Sequence, residues 1–213
     1  MRVSRIQAAE NRQTVINVAS RLFRERGFDG IGLKDLMKGA GLTQGAFYKQ
    51  FTSKEDLAAQ ASSRALESAT RRWSAAAAAN PKDPLGAVIA FYLSTDHREE
   101  KMDGCPVVAL GSDAARQGVD VKASFETGIR EYLETLGRMI TEANGEQSKR
   151  KAMAILSTMV GALTLSRVVN DSELAKGFLN TAAEHVCEGV RRCRVERQTL
   201  RVGRKKRPVK RPT

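Results

Sequence analysis

The stretch GFDGIGLKDLMKGAGLTQGAFYKQFTSKEDL, Gly27 to Leu57, constrains this chain more than any other. It predicts two short helices with a tight connection, followed at once by a capped third. Leu33, Leu36 and Met37 fall at i, i+3, i+4, one face of a helix that Gly39, Ala40 and Gly41 bring to an end. Thr43 is a natural N-cap for a second helix, from Gln44 to about Phe51. Phe47 and Phe51, four apart, make its inner stripe and leave Gln44, Ala46, Tyr48 and Lys49 on other faces. Two helices joined through a Gly turn predict a helix-turn-helix unit, whose second helix can enter a DNA major groove.

These residues resemble the DNA-binding domain of the TetR family of bacterial transcriptional regulators. The matching runs are AGLT at Ala40 to Thr43, GAFYKQF at Gly45 to Phe51 and SKEDL at Ser53 to Leu57. The resemblance covers about residues 11–58, with a fainter echo in GALTLSRVVND of the penultimate helix. One position departs from the pattern. The family often has Ser or Thr where Gly32 stands, so a hydroxyl contact to phosphate is missing there.

The resemblance implies roles for the matching residues. Gln44 would pair with a base edge, preferably adenine, and Ala46 would touch a thymine methyl. Thr43, Tyr48 and Lys49 are placed for phosphate, as is Lys54 at the start of the next helix; Lys38 is a further phosphate candidate. Phe47 and Phe51 are assigned to packing.

Composition agrees with a soluble helical protein: 41% hydrophobic, few aromatics, and much Ala, Leu, Arg and Glu. The net charge of +12 is uneven. Residues 1–60 carry +4, residues 61–190 carry −2, and residues 191–213 carry +10. The basic balance therefore comes mostly from the end of the chain. No uninterrupted apolar run approaches the roughly 18 residues of a membrane span, and no signal-peptide pattern opens the chain. The expectation is a cytoplasmic protein with no membrane partner.

Cys105, Cys187 and Cys193 show neither a CxxC pair nor zinc-ligand spacing with His97 and His185. No disulfide, metal or cofactor is expected. No GxSxG, HExxH or phosphate-binding Gly loop occurs, so no catalytic residue is assigned and an enzyme is not expected.

Along the chain, the first ten residues, with Arg2 and Arg5, read either as a frayed terminus or as a basic arm for the minor groove. A supporting helix follows over about Asn11 to Gly27. Ser53 or Thr52 caps a helix of roughly 25 residues that Asn80-Pro81 stops, nearly 40 Å at 1.5 Å per residue. Further helices are predicted from Leu85 to about Thr95, from Cys105-Pro106 to Gly118, from Val121 to about Ala143, from Lys149 to about Val169, and over 172–190. A polar loop, DHREEKMDG, precedes Cys105. No strand or repeat is predicted.

The expected organisation is all-α. Residues 1–58 form a three-helix DNA-binding domain, residues 59–194 a helical effector-binding and dimerisation domain, and residues 195–213 a disordered basic tail. The tail is either a solvated extension or a sequence-independent attractor of DNA phosphate.

The resemblance implies an effector pocket and a homodimer in the second domain. Candidate pocket residues are Trp73, Phe91, Tyr92, Met102 and Cys105, with Phe125, Tyr132, Met139 and Met159; each is also an ordinary core candidate. Cys105, beside Pro106 at a helix start, is expected to have a lowered thiol pKa, and the resemblance to family members that sense electrophiles or oxidants implies a sensing thiol, but the favoured reading is a small buried core residue. The last two helices have too much apolar surface for one inward face each. Leu163, Phe178, Ala182 and Val186 are therefore placed at a two-fold interface. The expected function is a repressor on a palindromic operator in double-stranded DNA, released by a small apolar or electrophilic effector. The alternative keeps the head but has the second domain respond to a protein partner, or makes the protein an activator.

Overall fold

A computed structural model of the chain describes residues 4–140 and 145–202, with side chains placed through residue 189. Among the described residues there are helices and connections and no strand. Helix α1 (Arg5–Arg26) begins at Ser4, whose Oγ accepts from Gln7 N at 3.1 Å. It therefore starts ahead of the expected Asn11, because Ser4 is a good cap and residues 5–10 are helix formers. Arg5 belongs to this helix rather than to an arm, and Arg2 lies outside the described residues. Gly27 ends α1 with φ 77°, a conformation that L side chains avoid.

Helix α2 (Leu33–Gly39) leads through Gly41, φ 71°, into a segment over Gln44–Lys49. That segment is a 3-10 helix, not the expected α-helix to Phe51. Ala46 N bonds Thr43 O and Gln50 N bonds Phe47 O, each three residues back. Thr43 has the extended backbone of a cap, but its side chain makes no capping bond.

Helix α3 (Lys54–Ala79) has the expected limits. Ser53 Oγ accepts from Asp56 N at 3.0 Å. The Asp56 carboxylate in turn accepts from Thr52 N at 3.0 Å, Thr52 Oγ1 at 3.1 Å and Gln60 Nε2 at 2.6 Å. Partial burial pushes the Asp56 pKa up, but these donors outweigh it and hold the carboxyl below its ordinary value. The corner between the 3-10 segment and α3 is thus fixed by a reciprocal cap akin to a capping box, its return bond made to Thr52 N, one residue before the N-cap.

Beyond Asn80 come α4 (Pro84–Tyr92), α5 (Thr95–Glu99) and α6 (Pro106–Ala114), then α7 (Val119–Met139), α8 (Gly145–Val168) and α9 (Ser172–Val202). The predicted helix to Thr95 is two helices. Ser94 breaks it by donating to Phe91 O and accepting from His97 N, so part of the expected polar loop is α5. Helix α9 continues past the expected boundary after residue 194, so residues 195–202 are helical; no Gly or Pro interrupts the chain from 190 until Gly203. Residues 203–213 of the expected tail lie outside the described residues.

The core follows α3. Its first half buries Leu57, Ala58 and Ala61, next to Phe23, Phe47 and Phe51 of the head. Its second half buries Leu66, Ala69 and Trp73 beside residues of α4 and α7. Helix α8 is long and apolar enough by composition to cross a membrane, yet Ile155, Leu156, Met159 and Leu163 are buried in the protein's own core, where α8 packs between α7 and α9. Helices α3 and α7 meet closely at Gly128, where a Cβ would stand 2.7 Å from Leu66 Cβ. Gly128→Ala is expected to lower stability by about 1–3 kcal/mol through overpacking, against the sign of helix propensity alone. Urea unfolding measures this; an unchanged midpoint would mean the two helices can part without cost.

Candidate nucleic-acid interface and effector region

The head is built on an aromatic wedge. Phe47 and Phe51 stack at 5.5 Å between ring centres, and Phe23 meets Phe28 edge-on at 5.2 Å. Arg12 lies over the Phe51 ring at 4.9 Å, tying α1 to the end of the 3-10 segment. With both phenylalanines buried, the opposite side of the segment faces solvent. Thr43, Gln44, Lys49 and Lys38 are exposed, Tyr48 is 69% exposed, and Ala46 and Lys54 are half-buried. The Tyr48 ring leans edge-on against Phe47 at 5.2 Å, so this exposed aromatic is held by the core beneath it. All seven residues expected at DNA therefore keep some surface, on or beside one short segment.

The effector candidates do not converge on one pocket. Trp73 stacks on Tyr132 at 4.5 Å and meets Tyr92 edge-on at 5.6 Å, and all three rings are fully buried. Phe91 stacks on His97 at 5.4 Å. Trp73, Tyr92, Phe91 and His97, with Cys105, border a void of only about 10 Å³. Met159 is buried in α8, while Met102 and Met139 are half-buried on other elements. Only Phe125 among the candidates lines the large cavity, about 1200 Å³, between α6, α7 and α8. Its other walls include Val107, Gly111, Ile129 and Leu133, none of them an effector candidate from the sequence.

Cys105 corrects an expectation. Burial pushes its thiol pKa up, and the Val107 and Val108 amides at the start of α6 offset that only in part. The Tyr92 hydroxyl also faces the thiol, but it makes no bond of good geometry, so its help is small. Loss of thiolate solvation on burial outweighs the helix-start effect expected from the sequence.

Arginines tie the segment before Cys105 to three other helices. Arg24 of α1, buried, donates to Gly104 O at 2.9 Å and Ser20 O at 2.8 Å, with Asp103 at 3.7 Å. Arg72 of α3 bonds Glu100 at 2.5 Å and Asp103 O at 2.6 Å. Arg167 of α8 donates to the carbonyls of His97, Arg98 and Glu100 at 2.8 to 3.0 Å. Nearer the head, Asp113 at the end of α6 reaches the end of α1. A Cβ at Gly27 would stand 2.7 Å from Asp113 Oδ2, and Phe28 N donates to the same oxygen at 3.4 Å. No sequence pattern announces these contacts, which join residues 80 and 85 positions apart.

The family model "Bacterial regulatory proteins, tetR family" matches residues 15–61, the span from α1 into α3 just described. Those residues are a TetR-family DNA-binding domain. The chain is a DNA-binding transcriptional regulator of a family that is not enzymatic, and regulators of this family bind DNA operators. It is similar to the HTH-type transcriptional repressor NemR of Escherichia coli (strain K12), 23% identical over 142 residues, covering 65% of this chain and 70% of NemR. It is also similar to the HTH-type transcriptional regulator LmrA of Bacillus subtilis (strain 168), 23% identical over 169 residues, covering 76% of this chain and 89% of LmrA. The crystal structure of E. coli NemR in its reduced form superposes with a TM-score of 0.70 at 21% identity, over 83% of this chain and 95% of that one. The structural likeness shows that the TetR fold extends beyond the head.

His97 supplies a pH test of the regulator's second domain. Its Nδ1 is 2.7 Å from Tyr92 O, and burial holds its pKa below the ordinary 6.5, with the cations Arg167 and Arg72 acting in the same direction and Glu100 and the Tyr92 carbonyl opposing. The unfolded chain therefore takes up this proton first as pH falls. The contribution of neutral His97 is full above 6.5 and declines as pH drops from there through the folded value. Thermal melts of His97→Gln are expected to depend less on pH than wild type between about pH 7 and 5; parallel curves would contradict this.

Proposed function

We propose that this regulator is a homodimeric repressor of the cytoplasm, held on a palindromic operator and released by a small apolar effector. The observation that carries the DNA reading is the exposed row Thr43, Gln44, Tyr48 and Lys49 above the buried Phe47 and Phe51. Gln44 is the base reader, Ala46 the thymine contact, and Thr43, Tyr48, Lys49, Lys54 and Lys38 the phosphate contacts. The similarity to a protein named a repressor supports repression over activation. The raised Cys105 pKa favours an effector recognised by shape over an electrophile that needs a thiolate.

Two heads must lie about one DNA turn apart, roughly 34 Å, to read a palindrome. The proposed dimer packs through α8 and α9, but on residues other than those first expected. Leu163, Ala182 and Val186 are buried inside the protomer and Phe178 is half-buried. The outward face of α8 offers Met153, Ala154, Ser157, Gly161, Leu165 and Val168, more than four turns without a charge. Its small residues allow another helix to approach closely, and Leu174 of α9 extends the face. Release then follows from linkage: an effector that prefers a different head spacing lowers operator affinity by that preference. Helix α6 is the coupling piece, lining the large cavity and touching α1 through Asp113.

Binding isotherms on operator and scrambled duplexes test the DNA reading. Tyr48→Ala and Lys49→Ala are expected to weaken binding to both, whereas Gln44→Ala removes discrimination of about 1–3 kcal/mol, one bidentate base contact. Unchanged discrimination would remove Gln44 from the base-reading set.

Sedimentation tests the dimer. Leu165→Arg is expected to give folded monomers that bind operator weakly, while Leu163→Arg unfolds the protomer by burying an unpaired charge. A monomeric wild type at micromolar concentration would refute the interface.

A further inference from the structure

The large cavity is an open groove, and its lining has a consistent chemistry. Phe125, Ile129 and Leu133 of α7 recur every four residues and lay an apolar floor about 12 Å long. Facing them, Val107, Gly111 and Ala114 of α6, spaced four and then three apart on one helix face, present smaller side chains, so the slot between the helices stays unfilled. Its volume, about 1200 Å³, lies somewhat above the roughly 300–1,000 Å³ of ordinary ligand sites, as an open groove does, whereas the aromatic void beside Cys105 has room for about one water.

The rim is charged, and not evenly. Lys122, Arg130, Arg138 and Lys149 line the groove against Glu126 and Glu134. Glu126 is engaged by Arg130 at 2.5 Å. Arg138 and Lys149 stand at the end where Ser148 Oγ donates to Gly137 O at 2.9 Å, joining the start of α8 to the end of α7. Among the described residues lining that end there are two cations and one carboxylate, Glu134.

We propose that this groove binds an elongated apolar molecule ending in a carboxylate or comparable monoanion, its chain on Phe125, Ile129 and Leu133 and its anionic end at Arg138 and Lys149. The assignment deepens the ligand-controlled reading above and rests on it for its effect on DNA. Helix α6 gives the site leverage, because one helix supplies both the Gly111 wall and the Asp113 contact at Gly27. A chain seated in the slot bears on Val107, Gly111 and Ala114, and any shift of α6 is felt at α1.

Calorimetric titration of the full-length protein with decanoate, decanol and decylamine, without DNA, tests the site. Saturable binding in the order decanoate, decanol, decylamine is expected. Gly111→Leu is the sharpest variant. A Cβ there meets only Val107 Cγ1 at 3.7 Å, so the helix accepts it while the side chain occupies the slot. It is expected to weaken decanoate by roughly tenfold or more, the loss of most of the chain's burial. Arg138→Glu with Lys149→Glu is expected to weaken decanoate by about tenfold and leave decanol unchanged. Decylamine binding as tightly as decanoate would overturn the anion preference, and unchanged decanoate binding by Gly111→Leu would overturn the location. Operator affinity is read separately. Decanoate that binds the groove but leaves that affinity unchanged supports the site and refutes the release mechanism.

Discussion

Everything in this protein hangs on α3 being one helix with two cores. Over its 26 residues it packs Leu57, Ala58 and Ala61 into the head and Leu66, Ala69 and Trp73 into the body. At 1.5 Å per residue that is about 39 Å of continuous backbone hydrogen bonding, with no Gly or Pro to bend it. Head and body are therefore not free to drift against each other as linked domains are. The division after residue 58 suggested by the sequence marks a change of neighbours along a single rod, and rotation of the rod's body end must appear at its head end.

The contacts flanking α3 restrict which way it can turn. Arg24 and Arg167 approach the segment 97–104 from α1 and α8, and Arg72 approaches it from α3 itself. Burial lowers the pKa of Arg24 and Arg167, yet an arginine with so high a starting value stays charged, and carbonyl oxygens take up its donors. Removing one carbonyl partner would leave a buried cation short of acceptors, which is costly. The segment therefore behaves as part of the core although it lacks the apolar residues of one. Asp113 adds a tie between the end of α6 and the residues that close α1.

Local chemistry was legible in the sequence and distant chemistry was not. Ser53-x-x-Asp56, Gly27 and Gly41, and the Phe47/Phe51 spacing each act within four or five residues, and each sits where the pattern put it. The family motif spans the same short range, which is why the head could be read so directly. The 3-10 winding of Gln44–Lys49 was missed because spacings of three and four are both present in six residues. The effector candidates were chosen as large apolar residues, and that property does not separate a closed core such as Trp73–Tyr132 from a cavity wall such as Ile129. Helix α8 misled for a related reason. It is apolar nearly all round, so periodicity alone could not tell Leu163, turned inward, from Leu165, turned out.

The 3-10 segment also limits how much sequence one head can read. Six residues rising about 2.0 Å each cover roughly 12 Å, three to four base-pair steps at 3.4 Å. A word so short recurs by chance throughout any genome, and a single head would be occupied by those copies almost all the time. The proposed homodimer would multiply selectivity, not add to it, by requiring two such words at a fixed separation. On this view the geometry between two heads carries more information than either head does, and a molecule that alters the separation need not touch a single base to erase the address.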